Sequence, residues 1–290
     1  MIINYTNIQY MSTNKVIIFG LEDSAELAHY YLTKDTSYEI IGFTVNQEFI
    51  KDENFKPRNS EKTYSVFPFE NIENIFPPSE YLLFAPMTGA KMNLVRKKIY
   101  EEGKNKGYKF ISYVSPKATV CDNIIGENCF ILEDNTLQPF TEIGNNVVMW
   151  SGNHIGHHGK IDDHVFFTSH VVLSGHCHVK ERAWLGVNST IKDFVTIGEG
   201  SLIAMGSMIT KSTENNGFYL GSPAKKQDKK VWVYSAGDFG TSFSDEVITF
   251  RLGGFHSKMN AAANDNTFKT DNFTASPEDA FDAPDDEVPF

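Results

Sequence analysis

Every sixth residue from Ile125 to Ile209 is large and apolar, an unbroken run of fifteen: Ile125, Ile131, Leu137, Ile143, Met149, Ile155, Ile161, Phe167, Leu173, Val179, Leu185, Ile191, Ile197, Ile203 and Ile209. If about a third of positions were large and apolar by chance, such a register would arise with a probability on the order of one in ten million. Four residues after each member sits Cys, Asn, Thr, Val, Gly, Ala or Ser, never a large side chain. A period of six cannot be reconciled with a helical period of 3.6. One large and one small inward position per hexad instead predicts a parallel β-helix, in which three short strands close a triangular coil and successive coils stack at about 4.8 Å. Val114 and Val120 stand one residue out of register with Ile125, which predicts an irregular first coil, and the pattern stops after Ile209, where "NNGFYLGSPAKK" supplies turn residues.

The chain ahead of the hexads reads differently. "KVIIF" (15–19), "EIIGFTV" (39–45) and "EYLLFAPM" (80–87) are apolar runs of strand length. "SAELAHYYLTK" and "GAKMNLVRKKIYEEGKNKG" carry apolar residues at helical spacing. Strands alternating with helices predict a small parallel α/β domain over residues 1–110, followed by the β-helix over 111–226 and an extension over 227–256. Residues 257–290 hold eight acids against two lysines and few aliphatics, which predicts a flexible acidic tail.

With 41% hydrophobic and 13% aromatic residues, a packed core is within reach. The net charge of −11 excludes a surface built to grip phosphate backbones, so no nucleic-acid partner is expected. Cys121, Cys129 and Cys177 form no CxxC pair and predict reduced thiols and a cytoplasmic location. No run reaches membrane-spanning length, and "MIINYTNIQYMSTNK" lacks the features of a signal peptide.

Seven of the nine histidines lie in "NHIGHHGKIDDHVFFTSHVVLSGHCH" (153–178). His158, His164, His170 and His176 all fall three residues after a hexad anchor, at the corner of the coil, where an outward-pointing polar residue is expected. His157 differs, lying two residues after Ile155 between Gly156 and Gly159, whose missing side chains let a ligand or another chain approach the backbone. A histidine so placed is suited to accept a proton at neutral pH. Zinc is the other chemistry that imidazoles serve, but there is no HExxH motif and no Cys/His quartet, so no metal is expected.

The hexads, "GSPAK" (221–225), the α/β segment in front and "GHHGKIDDHVFFTSHVVLSG" together resemble the bacterial hexapeptide-repeat sugar acetyltransferases of the NeuD/PglD type, over about residues 14–226. The resemblance implies a left-handed β-helix, a Rossmann-like N-terminal domain, a homotrimer, acetyl-CoA bound between adjacent β-helices and a nucleotide-linked amino sugar as acceptor. His157 falls on that family's catalytic base. Its acidic follower is replaced by His158, and its second histidine by Phe166 on the coenzyme side. Orientation of His157 is then left to His158, to Asp162 or to a neighbouring subunit. Gly175, a coil above His157, falls where a backbone N–H can face the thioester oxygen, and Val187 and Met205 fall on the coenzyme-contacting edge.

The resemblance puts acceptor contacts on Glu22, Asp23 and Ser24 in the first turn, "GLEDSAE", and on Thr44 near the end of the second strand. Two acids there repel a diphosphate, and no GxGxxG is present. Trimeric β-helical carbonic anhydrases place two zinc-binding histidines five residues apart, a separation no pair here has. A β-helical zinc hydrase or hydrolase and a non-catalytic trimeric scaffold stand as the alternatives to an acyltransferase.

Overall fold

A computed structural model of the chain describes residues 13–227 and the backbones of two strands, Lys230–Tyr234 and Val247–Arg251. The expected acidic tail, and the extension over 227–256 apart from Gln227 and those strands, lie outside the described residues. The N-terminal part runs β1 (Lys15–Phe19), α1 (Asp23–Asp35), β2 (Glu39–Val45), β3 (Asn54–Phe55), β4 (Tyr64–Pro68), one helical turn α2 (Ile72–Ile75), β5 (Leu82–Phe84) and α3 (Leu94–Asn105). The strands form one sheet in the order β3-β4-β2-β1-β5, parallel except for the β3–β4 pair. β1 lies between β2 and β5, and its Val16, Ile17 and Ile18 are fully buried, as expected of a short, wholly apolar parallel strand.

Two features of this part differ from the sequence expectation. β3 and β4 were not legible, because their apolar residues are interrupted by "KPRNSEK" and by Pro68. The strand expected over 80–87 shortens to Leu82–Phe84, and the helix expected from Gly89 starts at Leu94. The intervening Lys91, Met92 and Asn93 all take positive φ, 50°, 54° and 65°. This segment is pressed against the β-helix: a Cβ on Gly89 would lie 1.8 Å from the Trp184 ring. Helical turns cannot start while the chain is held there.

From Tyr113 onward the chain winds into a parallel β-helix. One wall stacks Tyr113–Val114, Phe130–Ile131, Val148–Met149, Phe166–Phe167, Trp184–Leu185 and Leu202–Ile203, ending on Phe218–Gly221. The second stacks Thr119–Val120, Thr136–Leu137, His154–Ile155, Val172–Leu173, Thr190–Ile191 and Met208–Ile209, and the third runs from Glu142–Ile143 to Thr196–Ile197. Pairing is between residues eighteen apart, as in His154↔Val172 and Lys160↔His178. The first coil is one residue short, with Val114↔Ile131 and Val120↔Leu137, as its register predicted. After Ile209 the last coil shortens again, and Phe218–Gly221 turns back on Ala224–Gln227 as an antiparallel hairpin instead of simple turns.

Fourteen of the fifteen hexad anchors are buried, all but Ile125, and they fill the lumen with the small residues four positions on. The corner position, three after each anchor from Ile125 to Ile203, is left-handed: Asn128, Asp134, Phe140, Asn146, His158, His164, His170, His176, Arg182, Asn188 and Phe194 have φ between 54° and 67°. Glycines take the same corner at 152, 200 and 206. Asn, Asp and His are the side chains that tolerate this region best after glycine. The histidine density is therefore in large part a backbone requirement.

The α/β sheet and the β-helix belong to one compact unit and share a core. The outer face of the first wall (Phe130, Val148, Phe166, Trp184, Leu202) packs with Phe84, Met92 and Ile99 in a single cluster. α3 lies along the corner column of Asn128, Asn146, His164 and Arg182. Its Arg96, fully buried, donates to the carbonyl oxygens of Asn146, His164 (2.7 Å) and Val165 (3.2 Å) and to the side-chain oxygens of Asn146 (3.1 Å) and Asn93 (3.2 Å). Burial pushes this guanidinium down to about 9. Lys97 pairs with Glu181 at 2.6 Å at the rim.

Candidate active site

The second corner column, which no part of the described chain covers, stacks Phe140, His158, His176 and Phe194. Neighbouring rings are 4.7, 5.0 and 4.7 Å apart, and the His158–His176 and His176–Phe194 pairs are nearly parallel, at 18° and 5°. The phenylalanines bracketing the histidines are 72% and 70% exposed. The column thus presents two open apolar rings with two imidazoles between them.

His157 stands beside this column, at right angles to both histidine rings. Its Nδ1 is 3.0 Å from Nδ1 of His158, so one of the two nitrogens donates and the other accepts. Its main-chain N–H donates to Oε1 of Gln138 at 3.1 Å, and its carbonyl accepts from the N–H of His176 at 2.9 Å. The imidazole lies flat against Gly175, where any Cβ would sit 2.7 Å from Cε1 of His157. Only glycine leaves room for the ring. The Gly175 N–H donates to no other described residue, so an open donor adjoins an exposed imidazole.

Three expected site residues thus fare differently from the rest. His157, His158 and Gly175 are brought together, and His176, expected only as an outward corner residue, joins them. Asp162 does not orient His157; its carboxylate accepts from Nε2 of His178 at 2.8 Å. Phe166, expected to be exposed to the coenzyme, is buried between the wall and the α/β part, stacked on Trp184 at 4.3 Å and with the Arg96 guanidinium 5.7 Å from its ring centroid. Val187 and Met205 follow anchors of the first wall, Leu185 and Ile203, and so line a different edge from His157 and Gly175, which follow anchors of the second. Within one chain they do not meet the histidines.

Glu22 and Asp23 are exposed at the N-terminus of α1, where their charge complements the helix dipole. Ser24 contributes to a narrow cleft in which Met87 and Thr88 face Trp150 and Phe166. Thr44 is not available to a ligand, since it is fully buried and its hydroxyl donates to the Phe67 carbonyl at 2.9 Å. His164 is a second departure: although a corner residue, it is buried under α3, its Nδ1 accepting from the Asn146 amide at 2.8 Å. Burial, reinforced by the charges of Arg96, Lys97 and Arg182, holds it at about 3, neutral at any physiological pH. Cys177 is buried at the small inward position and its thiol is pushed up by burial, as befits packing and not nucleophilic chemistry.

His157, His158 and His176 each offer a ring nitrogen, and these atoms lie within 4.8 Å of one another. The eighteen-residue separation of His158 and His176 puts them one coil apart on the same edge, but no metal-ligand motif marks the trio. Among the described residues no helix is long and apolar enough to cross a membrane.

No family model matches the chain. It is 29% identical over 107 residues to an acyl-[acyl-carrier-protein]–UDP-N-acetylglucosamine O-acyltransferase from Sinorhizobium fredii, a match covering 34% of this chain and 40% of that protein. Among solved structures, a mutant of perosamine N-acetyltransferase from Caulobacter crescentus, in complex with CoA and GDP-perosamine, superposes with a TM-score of 0.66 at 18% identity, over 74% of this chain and 97% of that one. The acetyltransferase domain of PglB from Neisseria gonorrhoeae, in complex with acetyl-CoA, superposes with a TM-score of 0.63 at 18% identity, over 74% of this chain and 100% of that one. The chain is therefore similar in sequence to hexapeptide-repeat acyltransferases and has the left-handed β-helix fold of sugar N-acetyltransferases.

Proposed function

We propose that this protein transfers an acetyl group from acetyl-CoA to an amine or hydroxyl of a nucleotide-linked sugar, with His157 as general base. The observation that carries the reading is the exposed His157 imidazole lying against Gly175, whose N–H is open, on the uncovered edge of the β-helix. With the Nδ1 proton of His157 donated to His158, the lone pair of Nε2 is directed outward. It removes a proton from the acceptor as the acceptor's nitrogen or oxygen attacks the thioester carbonyl. The Gly175 N–H stabilises the oxyanion, the C–S bond breaks, and the CoA thiolate leaves and recovers the proton from the imidazolium. His158 is a positioning residue in this scheme: it fixes the tautomer and does not touch substrate.

Residues 1–110 serve as a Rossmann-like acceptor domain and 111–226 as the acyltransferase domain in this reading. The open Phe140 and Phe194 rings favour assembly as a homotrimer whose subunits complete the coenzyme cleft, which returns Val187 and Met205 to the coenzyme from a neighbouring chain. Solved neighbours bind CoA and GDP-perosamine, and acetyl-CoA, which is the ground for naming these substrates. Three free thiols fit the cytoplasm, and the products fit surface polysaccharide assembly. His157→Asn should lower transfer by about 10²–10⁴-fold while CoA binding, read by calorimetry, stays within about threefold. A fully active His157→Asn variant would end the proposal.

A further inference from the structure

We infer that His157, His158 and His176 form a zinc site on the edge of the β-helix, and that zinc held there switches acyl transfer off. The three ring nitrogens lie within 4.8 Å of one another. Zinc takes imidazole nitrogen at about 2.0–2.1 Å in tetrahedral geometry, which requires nitrogens about 3.3 Å apart. The two Nδ1 atoms of His157 and His158 already stand at 3.0 Å, and rotation of the His176 ring has to close its nitrogen from within 4.8 Å to that spacing. The backbone holds the ligands ready: His158 and His176 are left-handed corner residues one coil apart, and their rings are stacked between Phe140 and Phe194. Three protein ligands leave the fourth position to water.

The other corner histidines assemble nothing comparable. His164 spends its Nδ1 on Asn146 beneath α3, and His170 lies against Gly152 on a different edge. A ligand set of neutral nitrogens selects zinc, cobalt, nickel or copper over magnesium and calcium, which demand oxygen. The inhibitory half of the inference rests on His157 being the base, because a metal that takes the ring's lone pair removes its capacity to accept a proton. The metal half does not depend on it.

The test uses the full chain, free of any affinity tag and stripped of metal. Cobalt is titrated as the visible-absorbing probe, then displaced with zinc, for the wild type and for His176→Phe. Phenylalanine already occupies the same corner at 140 and 194, so the substitution keeps the stack and removes only the nitrogen. The expected result is saturation at about one cobalt per chain, displacement by zinc and not by magnesium, and an affinity loss in His176→Phe exceeding the roughly 10–100-fold that an outer-shell partner is worth. Zinc should inhibit acetyl transfer by the wild type at concentrations that fill the site, and inhibition of His176→Phe, scored against that variant's own zinc-free rate, should require correspondingly more zinc. Equal cobalt affinity in the two proteins, or no saturable spectrum, would overturn the site. Transfer by the wild type that persists with the site full would overturn the switch, and a metal-free chain that binds cobalt but transfers nothing would refute the acyltransferase reading alone.

Discussion

The buried His164 makes a quantitative prediction about acid stability. In the folded chain it titrates at about 3, whereas in the unfolded chain it takes up a proton near the ordinary histidine value of 6.5. Below 6.5 the unfolded state therefore binds a proton that the folded state refuses, and stability falls as the pH falls, at up to about 1.4 kcal/mol per unit, until the folded residue also protonates. Between pH 7.5 and pH 5 this single group removes about 2 kcal/mol, and the result hardly changes if the folded value lies a unit higher. The perturbation that isolates it is His164→Asn. Asparagine holds the left-handed corner at positions 128 and 146 of the same column, where Asn128 donates to Asn146 at 2.9 Å, so the substitution extends an existing amide ladder. Urea denaturation of wild type and variant at pH 7.5 and pH 5 reads the difference of differences, and the carboxylates common to both proteins cancel. The wild type should lose about 2 kcal/mol more than His164→Asn over that interval. Parallel pH slopes would refute the claim that burial under α3 keeps this ring neutral.

Three further outcomes follow from the packing. Arg96→Ala strands the carbonyl oxygens of Asn146, His164 and Val165 in the joint between the two parts and should cost about 3 kcal/mol or more in urea denaturation, against under about 1 kcal/mol if the guanidinium were dispensable. Gly175→Ala drives a methyl to 2.7 Å from the His157 ring, and moving the base by such an amount should lower acetyl transfer by about 10²-fold while stability shifts by less than about 1 kcal/mol. Phe167→Ala empties a fully buried lumen position and should cost about 3–5 kcal/mol, measured by the same denaturation series, with the site residues untouched.

The α/β part illustrates where sequence reading stops. β1, α1 and β2 were legible because each is a single unbroken apolar pattern. The segment from Pro86 to Asn93 was not, because its conformation is set by Trp184, about ninety residues later in the chain, which presses on Gly89. The site divides the same way. The contact of His157 with Gly175 follows from their separation by one coil and could be anticipated once the hexads were counted. The burial of Phe166 was not legible, because the α/β part, distant in the chain, covers its outward face. Its aromatic neighbour one coil on, Trp184, was the only local sign of a buried stack.

The hexads by themselves determined the β-helix, its lumen and the left-handed corners. These follow from a short repeat in which each strand sees only the coil above and below. What that repeat left open was the fate of each corner. His158, His164 and His176 share one backbone conformation and one place in the hexad, yet His164 is sealed as a neutral core residue while His158 and His176 stand open beside His157. The difference lies in which edge α3 covers. Covering is a long-range packing outcome in which Arg96 and Asn93 reach a column of carbonyls and amides up to ninety residues away. No local pattern encodes that choice, because burial, and with it the charge a histidine can carry, is a property of the assembled faces.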